Sequence, residues 1–103
     1  MGKVKYSPKA AAKIRTTCEF YKQFDSELPR RARNTIVSSL LRLLDHPKIG
    51  RPWRLNLNYR ERVIPFGSSH FLALYQFDEV SGDILVVGIR HEREMGYGLE
   101  NDT

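Results

Sequence analysis

The hydrophobic period of this chain changes once, at Tyr59, and that change constrains the fold class more than any other feature. Ahead of it apolar residues recur at helical spacing; behind it they alternate, as they do where one face of a strand is buried. A chain patterned in this way needs a layer of helices and a layer of sheet, each hiding its apolar side against the other.

Ahead of Tyr59 the pattern predicts a short opening strand, Val4-Lys5-Tyr6, and then two helices. Ser7 can accept from the free N–H groups of a helix start, and Pro8 suits the first helical position, where its missing N–H is not needed. Ala10, Ile14, Thr17, Cys18, Tyr21 and Phe24 then fall on one face, with Lys9, Lys13, Lys22 and Gln23 largely on the other. Asp25-Ser26 interrupts the pattern. A second helix is expected from near Glu27 to Leu44, with a stripe of Leu28, Ala32, Ile36, Leu40, Leu43 and Leu44 that Val37 and Leu41 widen. Pro29 is tolerable only in its first turn, and His46-Pro47 marks its end. So short a connection makes the pair an antiparallel hairpin.

Pro47, Gly50 and Pro52 make residues 45 to 58 a turn-rich connection. Trp53 is expected to plug this loop onto the core, helped by Leu55 and Leu57. Beyond it Arg60, Arg62, Ile64 and Phe66 alternate with Tyr59, Glu61, Val63 and Pro65, and Gly67-Ser68-Ser69 turns the chain. Phe71, Ala73, Tyr75 and Phe77 alternate in a second strand, and Ser81-Gly82-Asp83 leads into a third, Ile84 to Arg90. Consecutive strands with short turns form an antiparallel meander. The opening strand joins the sheet beside a later one. The expectation is therefore an α+β fold over residues 1–103 as one domain, a helical hairpin on one face of a mainly antiparallel sheet, with the residues after Tyr97 loose.

Composition narrows the function. The first 51 residues hold twelve Lys and Arg against four Asp and Glu, and the remainder five against eight, within a formal net charge of +5. The basic character thus belongs to the N-terminal half and permits an anionic partner, nucleic acid or an acidic protein segment. Arg30, Arg31 and Arg33 crowd the start of the second helix against its macrodipole, which fits either an acidic partner or a solvated face. Cys18 is the only cysteine and reads as a small core residue, so no internal disulfide is possible and a reducing compartment is compatible. Met1-Gly2-Lys3-Val4-Lys5 lacks the apolar stretch of a signal peptide, and Tyr6 stands where a myristoylation signal needs Ser or Thr. A soluble, cytoplasmic protein is expected.

There is no phosphate-binding glycine loop and no nucleophile elbow, and His46, His70 and His91 do not fall at metal-ligand spacing. Neither a metal nor another cofactor is expected. The candidate site is the end of the last strand, where Ile84 to Ile89 runs out into Arg90-His91-Glu92-Arg93-Glu94-Met95-Gly96-Tyr97. Arg90 and His91 point to opposite faces, while Arg60 and Arg62 share a face of their own strand. Arginines hold phosphate bidentately, and a histidine or tyrosine can move a proton at a ribose hydroxyl or leaving oxygen. RNA cleavage needs no more than this. The same groups can equally bind a protein or a nucleic-acid backbone without chemistry, as a small basic binding module would.

Val4-Lys5-Tyr6-Ser7-Pro8-Lys9-Ala10, Leu44-Asp45-His46-Pro47 with Gly50, Tyr59-Arg60-Glu61, Phe71-Leu72-Ala73-Leu74-Tyr75 and Ile89-Arg90-His91-Glu92-Arg93 occur in an order and spacing that resemble toxins of the RelE/ParE superfamily from bacterial type II toxin–antitoxin (plasmid-stabilisation) systems. The resemblance implies growth inhibition and neutralisation by a cognate antitoxin protein. It also implies one of two targets: ParE-like members inhibit DNA gyrase without nuclease chemistry, and RelE-like members cut mRNA on the ribosome with basic residues and, in several, a C-terminal tyrosine. By resemblance His91 and Tyr97 would be the proton-moving pair of a ribonuclease, and Arg60, Arg62, Arg90 and Arg93 would hold the target or its phosphate. The arginine that RelE carries just after its turn corresponds to Leu72, which cannot stabilise a phosphate. That departure favours the gyrase inhibitor.

Overall fold

The computed structural model describes residues 2–99, and the architecture is the expected α+β one. Its elements are β1 (Val4–Tyr6), α1 (Pro8–Glu19), α2 (Leu28–Leu41), β2 (Arg51–Pro52), β3 (Arg60–Phe66), β4 (Ser69–Phe77) and β5 (Ile84–His91). The sheet order is β1-β5-β4-β3-β2, with β1 parallel to β5 and every other pair antiparallel. The opening strand does lie beside a later one. Of the stretch after Tyr97 that was expected to be loose, residues 100–103 lie outside the described residues.

Both helices start where local chemistry directs. Ser7 Oγ accepts from the Ala10 N–H at 3.1 Å with Pro8 as the first residue of α1, and Pro29 lies in the first turn of α2. α1 buries Ala10, Ile14 and Cys18, and α2 buries Ala32, Ile36 and Leu40, each set at four-residue spacing on one face. Burial pushes the Cys18 thiol up, in keeping with an unreactive core residue.

The α1 stripe does not run on to Phe24 as expected. The chain tightens into a 3₁₀ turn at Phe20–Gln23, which changes the angle per residue and swings Phe24 outward. Phe20 and Phe24 are 58% and 64% exposed, while Tyr21 still packs edge-on against Phe66 and Phe71. A second 3₁₀ turn, Arg42–Leu44, closes α2 and buries Leu43. Leu41 does not widen the α2 stripe, because it sits one residue beyond buried Leu40 and points to solvent.

The loop after α2 contains the two-residue edge strand β2, which alternation could not reveal, and Pro52 is tolerated there because the edge needs no donor. Trp53 packs edge-on against Tyr59 and Tyr97, as expected of a plug. Leu55 and Leu57 do not help to anchor the loop. Backbone bonds from Trp53 to Tyr59 and from Asn56 to Trp53 already close it, leaving both leucines turned outward.

β4 is buried from Phe71 to Tyr75 on both faces. Ile64, Phe71, Ala73, Tyr75, Ile84, Val86 and Ile89 meet the helices, whereas Leu72 and Leu74 meet Tyr97 on the far face, with Trp53, Tyr59 and Val87 around them. A β-bulge decides which residues reach which face. Leu74 pairs with Gly88 but Tyr75 pairs with Val86, so Val87 is the extra residue and the alternation of β5 reverses beyond it. Ile89 and His91 therefore face the helices, and Gly88 and Arg90 face Tyr97.

Candidate functional site

On the face away from the helices, the chain folds back after β5 and seats Tyr97, only 5% exposed, on the sheet. Gly88 makes room for it: a Cβ there would lie 3.0 Å from the tyrosine ring. The Tyr97 hydroxyl donates to Glu61 Oε2 at 2.5 Å, and Arg51 Nε donates to Glu61 Oε1 at 3.1 Å. The Arg90 guanidinium stands 5.3 Å above the Tyr97 ring, within cation–π range, and donates to the Glu94 carbonyl at 2.7 Å. A cavity of about 390 Å³ opens beside this group, lined by Arg51, Trp53, Arg54, Glu61 and Arg90. Its polar wall is mostly cationic, and Arg90 Nε is buried with no hydrogen-bond partner among the described residues.

Burial, then the hydrogen bond to Glu61 and the charge of that carboxylate, push Tyr97 far above the ordinary tyrosine value, against a smaller opposing effect of Arg90. A hydroxyl held in this way neither takes up nor releases a proton near neutral pH. The contact is built to keep a proton in place.

His91 lies on the other face. Its Nδ1 accepts from the Arg93 backbone N–H at 3.2 Å, so the ring proton sits on Nε2 and is donated to Ser69 Oγ at 2.8 Å. Ser69 in turn donates to the Glu92 carboxylate, which also meets His70 Nδ1 at 3.1 Å. Serine, histidine and glutamate thus come together, but the proton runs from histidine to serine to glutamate, opposite to what activates a serine nucleophile. The hydrogen bond from Ser69, with a smaller effect of the Arg93 charge, holds the Glu92 carboxyl below its ordinary value.

The remaining expected residues are dispersed. Arg60 and Arg62 pair with Tyr75 and Ala73, on the helix face, and Arg60 Nη1 donates to the carbonyls of Gly50 and Lys48 at 2.8 and 3.2 Å. Arg60 ties down the loop before it. Arg93 is exposed beside His91, on the rim of an apolar groove along α1. The structure therefore brings Arg90 to Tyr97 and Arg93 to His91, and it does not bring His91 to Tyr97. Glu61, Arg51 and Ser69 were missed as partners of the candidate residues. Nothing in the alternation of β3 marks Glu61 as a site residue, and only the sheet register reveals that it faces Leu74 beneath Tyr97.

Among the described residues, no group of His, Cys, Asp and Glu is placed to hold a metal ion, and no helix is long and apolar enough to cross a membrane.

Residues 4–96 match the family described as the ParE toxin of type II toxin–antitoxin system, parDE. The fold is similar to that of a chain in the chromosomal ParDE system from P. aeruginosa, with a TM-score of 0.69 at 21% identity over 88% of this chain and 96% of that one. It is also similar to a chain of the intact E. coli RelBE toxin–antitoxin complex, with a TM-score of 0.55 at 14% identity over 91% and 100%. No curated protein matches at a significant level. The match along nearly the whole chain and the shared fold together show that this protein belongs to the ParE toxin family of type II toxin–antitoxin systems, within the RelE/ParE superfamily.

Proposed function

We propose that the chain is the toxin of a two-protein system, acting in the cytoplasm by binding DNA gyrase without chemistry and held inactive by a cognate antitoxin. One observation carries the choice of mechanism. Leu72, where RelE-type cutting would need an arginine, pairs with Arg90 in the sheet and packs under Tyr97, whose hydroxyl is committed to Glu61. At the two positions where such cutting would need an arginine on the phosphate and a tyrosine free to move a proton, that face offers a hydrocarbon and a locked phenol. Family membership supports the toxin, and the ParDE and RelBE relatives, being toxin–antitoxin systems, support the antitoxin partner.

The arginine-lined cavity beside Tyr97 favours a second reading, a ribosome-dependent mRNA endoribonuclease in which Arg51, Arg54 and Arg90 would hold phosphate. Induced expression followed by sequencing of RNA ends separates the two. Gyrase inhibition gives growth arrest with message ends unchanged, whereas new ends within translated messages transfer the assignment to the ribonuclease. Unimpaired growth removes the toxin reading altogether and leaves a basic binding module.

A further inference from the structure

Residues 8–44, the two helices and their connection, hold eight Lys and Arg against three Asp and Glu. Much of that excess lines one side of α2. Arg30, Asn34, Ser38 and Arg42 recur at four-residue spacing, two positions away from buried Ala32, Ile36 and Leu40, so they form the stripe opposite the core, and all four are exposed. Arg31 lies beside this stripe and is exposed as well. Among the described residues, Arg31 and Arg42 meet no carboxylate. Arg30 meets only Glu27, one turn back at 2.8 Å, and with the two side chains 69% and 64% exposed that pair holds weakly. Arg30 and Arg31 stand in the first turn of α2, where no acidic residue balances them against the positive end of the helix. Folding alone favours the reverse arrangement.

We infer that this stripe is a sequence-independent docking surface for the phosphate backbone of duplex DNA, with Arg30, Arg31 and Arg42 on phosphates and Asn34 and Ser38 donating to phosphate oxygens. Charge complementarity argues for an anionic occupant, and the makeup of the stripe selects among anions. Leu41 is the one exposed large apolar residue beside it. A protein interface has an apolar core from which charges are depleted, whereas a DNA interface is polar, strongly basic and served by Arg, Asn and Ser side chains. No aromatic residue occurs between Arg30 and Arg42, so the stripe offers single-stranded bases nothing to stack on. From Arg31 to Arg42 the helix rises about 16 Å, which matches about five steps of 3.4 Å along a duplex strand. The stripe belongs to the layer opposite Tyr97 and the arginine-lined cavity, so this hold is separate from either reading of that face. For a gyrase inhibitor it supplies a grip on the DNA that gyrase carries, and direct binding tests it without the enzyme.

The test is fluorescence anisotropy of a short labelled duplex of mixed sequence, titrated with the full chain at salt concentrations from about 50 to 200 mM. A dissociation constant of about 10⁻⁶–10⁻⁴ M is expected at physiological salt, with a log–log salt slope of about −3 for three neutralised phosphates, or roughly fortyfold weaker binding across that range. Arg31→Ala and Arg42→Ala should each reduce the slope by about one, equally on unrelated sequences, and Arg31→Glu with Arg42→Glu should weaken binding about tenfold or more. Lys5→Gln removes one positive charge from the opposite face of the sheet, since Lys5 alternates with the core-packed Val4 and Tyr6, and should shift affinity by less than about twofold. The substituted side chains are exposed, and unchanged unfolding temperatures separate lost contacts from lost folding. Absence of binding at the lowest salt overturns the surface, as does an unaltered slope in both alanine variants. A loss with Lys5→Gln equal to that with Arg31→Ala also overturns it, because net charge alone then binds. Equal affinity for single-stranded DNA or for an RNA duplex overturns the assignment to duplex DNA, and equal competition by polyglutamate transfers the stripe to an acidic protein. Each of these results leaves the gyrase reading standing, since loss of supercoiling is measured on its own.

Discussion

Tyr97 donates its hydroxyl to Glu61 at 2.5 Å on the face of the sheet away from α1 and α2, which binds the C-terminal segment to β3, the strand it reaches by folding back over β5 and β4. The contact consumes the one phenol that could have served proton transfer beside Arg90.

Replacing Tyr97 by Phe leaves a buried Glu61 oxygen without its donor and should cost about 1–3 kcal/mol, read as a lowered midpoint in denaturant unfolding. Growth inhibition per folded molecule should persist. A variant that folds as well as the parent and loses toxicity would instead give Tyr97 a direct part in the target contact.

The same pair sets an alkaline limit. Tyr97 is raised from an ordinary value of 10.0, so the folded state holds its proton more tightly than the unfolded one does. Its contribution to stability is complete below pH 10 and declines as the pH rises towards the folded value. Burial also raises Tyr6, Tyr21 and Tyr75, so the comparison must be with Tyr97→Phe, whose stability should fall less steeply above pH 10. Parallel curves for the two proteins would contradict this.

Tyr75 ties the connection after α2 to the core, donating to the Pro47 carbonyl at 2.6 Å and accepting from the Gly50 N–H at 3.0 Å. Gly50 is close enough that a Cβ would lie 2.6 Å from that hydroxyl. Tyr75→Phe should cost about 1–3 kcal/mol and speed hydrogen exchange at Gly50 more than at α1 amides. Uniform acceleration would mean that the loop is held by something else.

His91→Gln tests the absence of chemistry at the other end of β5. The ring donates to Ser69 and lies on the opposite face of the sheet from Tyr97, so growth inhibition should stay within about twofold once expression is matched. A proton-moving histidine would lose roughly 10²–10⁴-fold in cutting rate. A loss on that scale with an intact fold would restore the ribonuclease.

The layers, the helix starts and the meander are legible in the sequence because each rests on local chemistry: Ser7-Pro8 for a cap, Pro29 for a first turn, alternation from Tyr59 for strands. The faces of β5 are not. Alternation counted from Ile84 puts Arg90 among the helix-facing residues, and only the extra residue Val87 turns it to Tyr97. The 3₁₀ turn that exposes Phe20 and Phe24 also lies below what a helical pattern can resolve. Glu61 was invisible as a site residue because its importance comes from a tyrosine far along the chain, joined to it by sheet register alone. The family resemblance joins Tyr97 to His91, whereas the structure joins it to Arg90, and whether the tyrosine is free to act depends on that buried carboxylate.

The most direct measurement is a supercoiling assay with purified gyrase, relaxed plasmid and increasing amounts of the chain, with its antitoxin added back in a parallel series. The account predicts loss of supercoiling as the toxin reaches stoichiometric excess over gyrase, recovery on adding antitoxin, and the same loss with His91→Gln. Undiminished supercoiling at that excess, with mRNA cut on translating ribosomes by the same preparation, would contradict it.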